Sequence, residues 1–272
     1  MGKRFIINGD DLGLSPAYDY GMMYAYDNGI LSSATLMSNM DAAPLGVELA
    51  KKHGLHLGLH TNIVQGHCCA DPTTIPSIVH PDGFFYRSGE YKKHYKDIRY
   101  NQDDTTGVEA DEQDYKREAR AQIEQFKELT GAYPIHIEGH SIISPELTLG
   151  LQDVAHEYGC HVMRFDMESQ PGYRDCSELM ADQNVMRSMK DYMKEGMTVA
   201  MLLEVLEAMK ANPCDINVLH LHPGWVDATV IDFSTLTIQR CRDIEALCDD
   251  RVKQWINDND IMLISFDDLK IN

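Results

Sequence analysis

What most constrains this chain is a repeated alternation. Short apolar runs end abruptly in polar or titratable residues, and a longer amphipathic stretch follows each. Arg4 to Ile7 reads as a strand stopped by Asn8-Gly9, and Ser15-Pro16 then opens a helix that runs to Asn28 and stops at Gly29. The pattern recurs with strands at Ser33 to Met37, His56 to His60, Ile135 to Glu138, His161 to Arg164, Asn217 to His220 and Ile261 to Ser265. Helices are expected over Ala42 to His53, Glu109 to Thr130, Pro145 to Tyr158, Val199 to Lys210 and Ser234 to about Asn257. Seven strand–helix alternations point to a parallel α/β fold, in which ligands sit at the carboxyl ends of the strands. With no linker or shift in composition, residues 1–272 read as one domain.

Composition narrows the function. A net charge of -19 repels nucleic-acid phosphates and fits a neutral or cationic ligand. No segment reaches the length of a membrane span, and the apolar run after the start is too short for a signal peptide. Seven cysteines, an odd number without a C-x-x-C pair, suit free thiols in a reducing compartment, so a cytoplasmic location is expected. The adjacent Cys68 and Cys69 are weak support for a soft-metal site. Gly66 to Asp104 is loop-like, with Phe84, Phe85, Tyr86 and Tyr91 among glycines, prolines and charges. It reads equally as a lid or as an ordinary surface excursion.

Four strand ends carry the chemistry: Asn8-Gly9-Asp10-Asp11, Leu59-His60-Thr61-Asn62, His136-Ile137-Glu138-Gly139-His140 and His220-Leu221-His222-Pro223-Gly224. On parallel strands all four clusters lie on one rim. Two imidazoles and a carboxylate can hold a divalent cation and leave positions open for water and substrate. The residues assigned to the metal are Asp11, His60 and His140, with Asp10 as general base and His222 as general acid toward a leaving amine. Taken singly, an Asp pair at a strand end is more often a turn or cap, and a strand-end His is more often a satisfied polar residue. The argument rests on the set. His136 and His220 are expected to point away, into the helix layer.

Several motifs occur in order along nearly the whole chain. Ile7-Asn8-Gly9-Asp10-Asp11-Leu12-Gly13-Leu14-Ser15 resembles the opening N-A-D-D-F-G-L-S of the YdjC/ChbG carbohydrate deacetylase family. Gly29 to Met37, Gly58-Leu59-His60-Thr61-Asn62, His136 to His140, His222-Pro223-Gly224 with Asp227, and Ser265 to Leu269 are similar to later motifs of that family. The resemblance implies an irregular (β/α) barrel of the glycoside hydrolase/deacetylase kind, with about seven parallel strands. It also implies removal of acetyl groups from N-acetylglucosamine units, as in chitooligosaccharides. Mg is the cation it implies, whereas two histidine ligands favour Zn on softness, and Mn and Co stay open. It carries a substrate-positioning role onto Arg164. Trp225, beside the H-P-G motif, reads either as a stacking platform for a sugar or as core. The sequence departs from the family in carrying Glu138 where an aspartate stands, and in lacking further histidines after His140. The expected partner is a small acetylated sugar, with a homodimer compatible and neither nucleic acid nor membrane expected. Rival readings are a metal-dependent phosphoesterase and a sugar-binding protein without catalysis.

Overall fold

The computed structural model describes residues 2–92, 107–142, 144–163, 173–176 and 189–269. One parallel sheet organises them. Its strands are β1 (Arg4–Leu12), β2 (Ser33–Leu36), β3 (Leu57–Thr61), β4 (His136–Gly139), β5 (His161–Val162), β6 (Tyr173–Asp175), β7 (Ile216–Leu221) and β8 (Met262–Leu263). The order is β5-β4-β3-β2-β1-β7-β6, with β8 pairing β1 beside that path. The expected irregular (β/α) barrel is therefore found. Its wall runs from β5 to β6, with seven parallel strands along the path and short β8 added to β1.

The helices are α1 (Pro16–Asn28), α2 (Ala43–His53), α3 (Glu112–Thr130), α4 (Pro145–Tyr158), α5 (Met189–Glu195), α6 (Val199–Ala211), α7 (Ala228–Phe233), α8 (Ile238–Cys248) and α9 (Asp250–Asp258). Their starts follow local chemistry. The Ser15, Asp111, Ser144 and Thr198 side chains accept the first free N–H groups of α1, α3, α4 and α6. Where one helix was expected from Ser234 to Asn257, the chain makes two, because Asp249 adopts an extended conformation that ends α8 and caps α9. Before Thr198, where the sequence marks no strand or helix after Arg164, the chain contains β6 and α5. A three-residue strand is too short to leave a period in the sequence.

Side-chain alternation divides the core in two. Phe5, Ile7, Ala34, Leu36, Leu59, Ile137, Leu219 and Leu221 face the helix layer in the large cluster. Ile6, Ile216, Val218, Ile264 and Phe266 form a small cluster on the inner face. Along β1 the inner series is thus Ile6, Asn8, Asp10. The barrel has an apolar floor, and the side chains above it are polar.

The excursion after β3 is packed rather than loose. Ile75, Ile78, Val79, Phe85 and Tyr91 are buried in the main core. Glu118 of α3 accepts the backbone N–H groups of Cys69 and Ala70, both at 2.9 Å, and burial lifts its carboxyl to about 7. The excursion reaches α7, where Arg87 Nη1 donates to the Asp232 carbonyl at 2.6 Å and Gln65 Nε2 donates to the Phe233 carbonyl at 3.0 Å. Residues 93–104 of the expected lid lie outside the described residues. All seven cysteines are free, Cys68 and Cys69 included. No helix among the described residues is long and apolar enough to cross a membrane.

Candidate metal centre and catalytic site

Two consecutive residues of a regular strand point to opposite faces, so Asp10 and Asp11 ordinarily would not share a site. Here the pairing of β1 with β2 slips between Gly9 and Leu12, and Asp11 takes a left-handed conformation with φ 68°. Such a bulge re-aims a side chain, and a residue with a β-carbon adopts this φ only when its surroundings hold it there. Both carboxylates consequently enter the same end of the barrel.

Asp11 Oδ1 lies 3.1 Å from His60 Nε2 and 3.0 Å from His140 Nδ1, and those two nitrogens are 3.0 Å apart. All three residues are buried. His140 reaches the point because its backbone N–H continues the β3–β4 pairing onto the Thr61 carbonyl, at 2.9 Å. The second Asp11 oxygen faces Arg240 Nη2 at 2.9 Å. Arg240, fully buried on α8, is held in turn by the Leu236 carbonyl and the Ser234 hydroxyl, each at 2.9 Å, and lies over the Tyr18 ring.

Asp10 belongs to a neighbouring cluster. Its Oδ1 accepts from Asn8 Nδ2 at 2.8 Å and lies 3.0 Å from His220 Nδ1. Its Oδ2 is 4.0 Å from His222 Nε2. The Tyr18 hydroxyl donates to the Asp10 carbonyl at 2.7 Å, and the His222 N–H donates to buried Asp243 at 2.9 Å. Glu138 stands between the clusters. Its Oε1 is 2.9 Å from His60 Nδ1 and accepts from the Thr35 hydroxyl at 2.6 Å, while its Oε2 is 3.4 Å from His220 Nδ1.

The donor set fits a divalent cation. Three ligand atoms spaced 3.0–3.1 Å apart match neighbouring positions around an ion with bonds of about 2.1 Å. Both Asp11 oxygens are buried without an aligned hydrogen bond, which is costly for a carboxylate unless a cation takes up the lone pairs.

Charges compensate across the site. Burial alone would lift the Asp11 carboxyl, but His140 and Arg240 hold it well below the ordinary range. Burial works against a charged His60, yet the Asp11 and Glu138 carboxylates raise it well above the usual histidine value. Burial likewise opposes a charged His220, and Glu138 and Asp10 overcome it to give about 9. Glu138 is lowered, since His220 and His60 outweigh its desolvation. His222 is lowered chiefly by burial.

Of the residues singled out in the sequence, Asp10, Asp11, His60, His140 and His222 come together. Trp225 does not join them. It is half-exposed, with its ring 5.8 Å from that of Tyr24 on α1. Arg164 lies outside the described residues. The expectation that His136 and His220 face the helix layer is overturned. His220 sits in the Asp10 cluster, and His136 packs on Phe266 of the inner floor at 3.9 Å between ring centres. The reason is the strand period itself: residues two apart share a face, so His136 goes with Glu138 and His220 follows Ile216 and Val218 inward. Burial holds His136 near 3 and hence uncharged. Parity along the strands could have found His220. Nothing local in α8 marks Arg240, because its partner Asp11 is more than two hundred residues away in the chain.

A carbohydrate deacetylase of Listeria innocua is 27% identical over 275 residues, covering 98% of each chain. One from Geobacillus stearothermophilus is 26% identical over 269 residues, again with 98% of each chain covered. Among solved structures, an Enterococcus faecalis protein for which cleavage of cellobiose phosphate has been suggested superposes with a TM-score of 0.75 at 20% identity over both full chains. The catalytic domain of a peptidoglycan N-acetylglucosamine deacetylase from Eubacterium rectale shares the fold with a TM-score of 0.51 at 12% identity, covering 98% of this chain and 89% of that one. The family model described as YdjC-like protein matches residues 4–258, and the chain belongs to that family.

Proposed function

We propose that this protein is a metal-dependent hydrolase that removes acetyl groups from N-acetylated sugars, with N-acetylglucosamine oligosaccharides such as acetylated chitobiose as substrates. The observation that carries the reading is the meeting of Asp11, His60 and His140 beside a separately held Asp10. Relatives that match nearly the full chain and are named carbohydrate deacetylases support it.

Asp11, His60 and His140 would hold the cation, with Mg as the proposed ion. When bound, the cation supplies Lewis-acid polarisation of the acetyl carbonyl and lowers the pKa of water. Asn8 and His220 engage one oxygen of Asp10, which leaves Oδ2 to take the proton from the attacking water. His222 Nε2, 4.0 Å beyond that oxygen, is placed to protonate the departing sugar amine. Acetate and the free amine leave, and the chain's net charge of -19 tolerates a cationic product. Arg164 and Trp225 are proposed substrate contacts, with Trp225 and Tyr24 offering exposed rings to a sugar face. The odd number of cysteines, all free, supports placing the activity in the cytoplasm.

The test is acetate release from acetylated chitobiose before and after chelation, with bound metal measured on the same samples. Release that stops with the chelator and returns with a divalent ion is expected. Undiminished release from metal-free protein would remove the cation from the reaction. No release from any N-acetylated oligosaccharide would remove the deacetylase reading.

A further inference from the structure

Glu138 faces both halves of the site with its two carboxylate oxygens. Its Oε1 lies 2.9 Å from His60 Nδ1, while the opposite nitrogen of that ring, Nε2, faces Asp11 and His140. Its Oε2 lies 3.4 Å from His220 Nδ1, and the same His220 nitrogen is 3.0 Å from Asp10. The Thr35 hydroxyl donates to Oε1 at 2.6 Å and so keeps the carboxylate from turning. The Glu138 side chain is only 12% exposed, and its carboxylate contacts lie among buried groups.

We propose that Glu138 is a positioning residue that aims the two histidines on which the deacetylase site depends. The inference rests on the function proposed above. A carboxylate accepting the Nδ1–H of His60 fixes the tautomer that leaves Nε2 bare for a cation, and it stops the ring from rotating. The same carboxylate holds His220 against Asp10 and so fixes which Asp10 oxygen stays free. One side chain thereby sets the metal side and the proton side in a single geometry. The glutamate side chain presents one oxygen to each ring.

The test compares the ion-free wild type with E138A, E138Q and T35V by calorimetric titration with Mg²⁺ and, separately, Zn²⁺, with thermal unfolding of each variant. The wild type should take up one ion. E138A should bind it roughly 10–100-fold more weakly, the range set by loss of an outer partner of a ligand histidine. E138Q keeps an oxygen that accepts from His60 Nδ1, so it should recover most of that loss, which a purely space-filling role would not predict over the similarly truncated E138A. Its turnover at saturating ion should still fall, because the amide no longer offers His220 a carboxylate. Equal affinity in E138A and wild type overturns the proposal, as does E138Q binding no better than E138A. If E138A does not fold, T35V decides, and unchanged affinity there overturns it. A wild type that binds no ion fails the parent reading instead, and that outcome is separate from the others.

Discussion

Asp10 and Asp11 are neighbours in the chain, yet their carboxylates serve different clusters. Asp11 Oδ1 lies 3.1 Å from His60, whereas Asp10 Oδ1 lies 3.0 Å from His220. A bulge at the end of β1 makes this possible, with Asp11 held at φ 68°. The proposed division of labour between a ligand and a base therefore depends on a backbone irregularity as much as on the side chains.

If the two carboxylates have separate duties, they separate under mutation. D10N should bind the cation as the wild type does if the ion sits among Asp11, His60 and His140, because Asp10 belongs to the neighbouring group with Glu138 and His220. Its acetate release should fall by about 10²–10⁴-fold, the usual contribution of a positioned base. Turnover near the wild-type level would take Asp10 out of the mechanism.

Arg240 gives an ion-dependent stability. Its guanidinium is fully buried and lies 2.9 Å from Asp11. R240M removes a buried partner of that carboxylate and leaves only the two histidines beside it, so it should destabilise the ion-free protein by roughly 3–5 kcal/mol. Added divalent ion replaces the lost positive charge, so thermal unfolding of R240M should rise more with ion than that of the wild type. An equal rise in both proteins contradicts the pairing.

Asp19 on α1 sets a pH dependence of folding. One of its oxygens accepts the Gly13 N–H at 2.7 Å, the other is buried without a partner, and burial lifts the carboxyl to about 8. An unfolded aspartate titrates near 3.9, so between about pH 4 and pH 8 the folded chain keeps a proton that the unfolded chain has lost. Stability from this group is complete below about pH 4 and is lost as pH rises toward 8. D19N keeps the acceptor for Gly13 and removes the titration. It should match the wild type in urea unfolding near pH 4 and exceed it by a few kcal/mol at pH 8. A difference that does not change with pH sinks this account.

Gly224 of the H-P-G motif is required for space. A β-carbon there would lie 1.8 Å from the Tyr18 ring, and the Tyr18 hydroxyl bonds the Asp10 carbonyl at 2.7 Å. G224A should lower stability by about 1–3 kcal/mol through overpacking. It should also lower turnover, because the ring that must move is the one that anchors Asp10. The double variant G224A/Y18L, with room restored, should regain stability but not turnover. Recovery of both would mean that Tyr18 does not position Asp10.

The elements and most of the site were legible because their signals are local. Ser15-Pro16 and Gly29 mark the ends of α1, and the period of two places Ile6, Asn8 and Asp10 on one face of β1. Polar residues at the ends of β1, β3, β4 and β7 have to gather at one rim once those strands run parallel in one sheet. The opposite holds for the bulge at Asp11, the Glu138 bridge and the Arg240 ion pair. Each joins groups whose separation in sequence carries no periodic signal, and each exists only because folding encloses those groups where an uncompensated charge is costly. The order of residues determined which strands and helices form and which acidic and histidine side chains reach the rim. The packed barrel alone decided which carboxylate meets which histidine, since that pairing is set by distances and burial that arise when the strands close together.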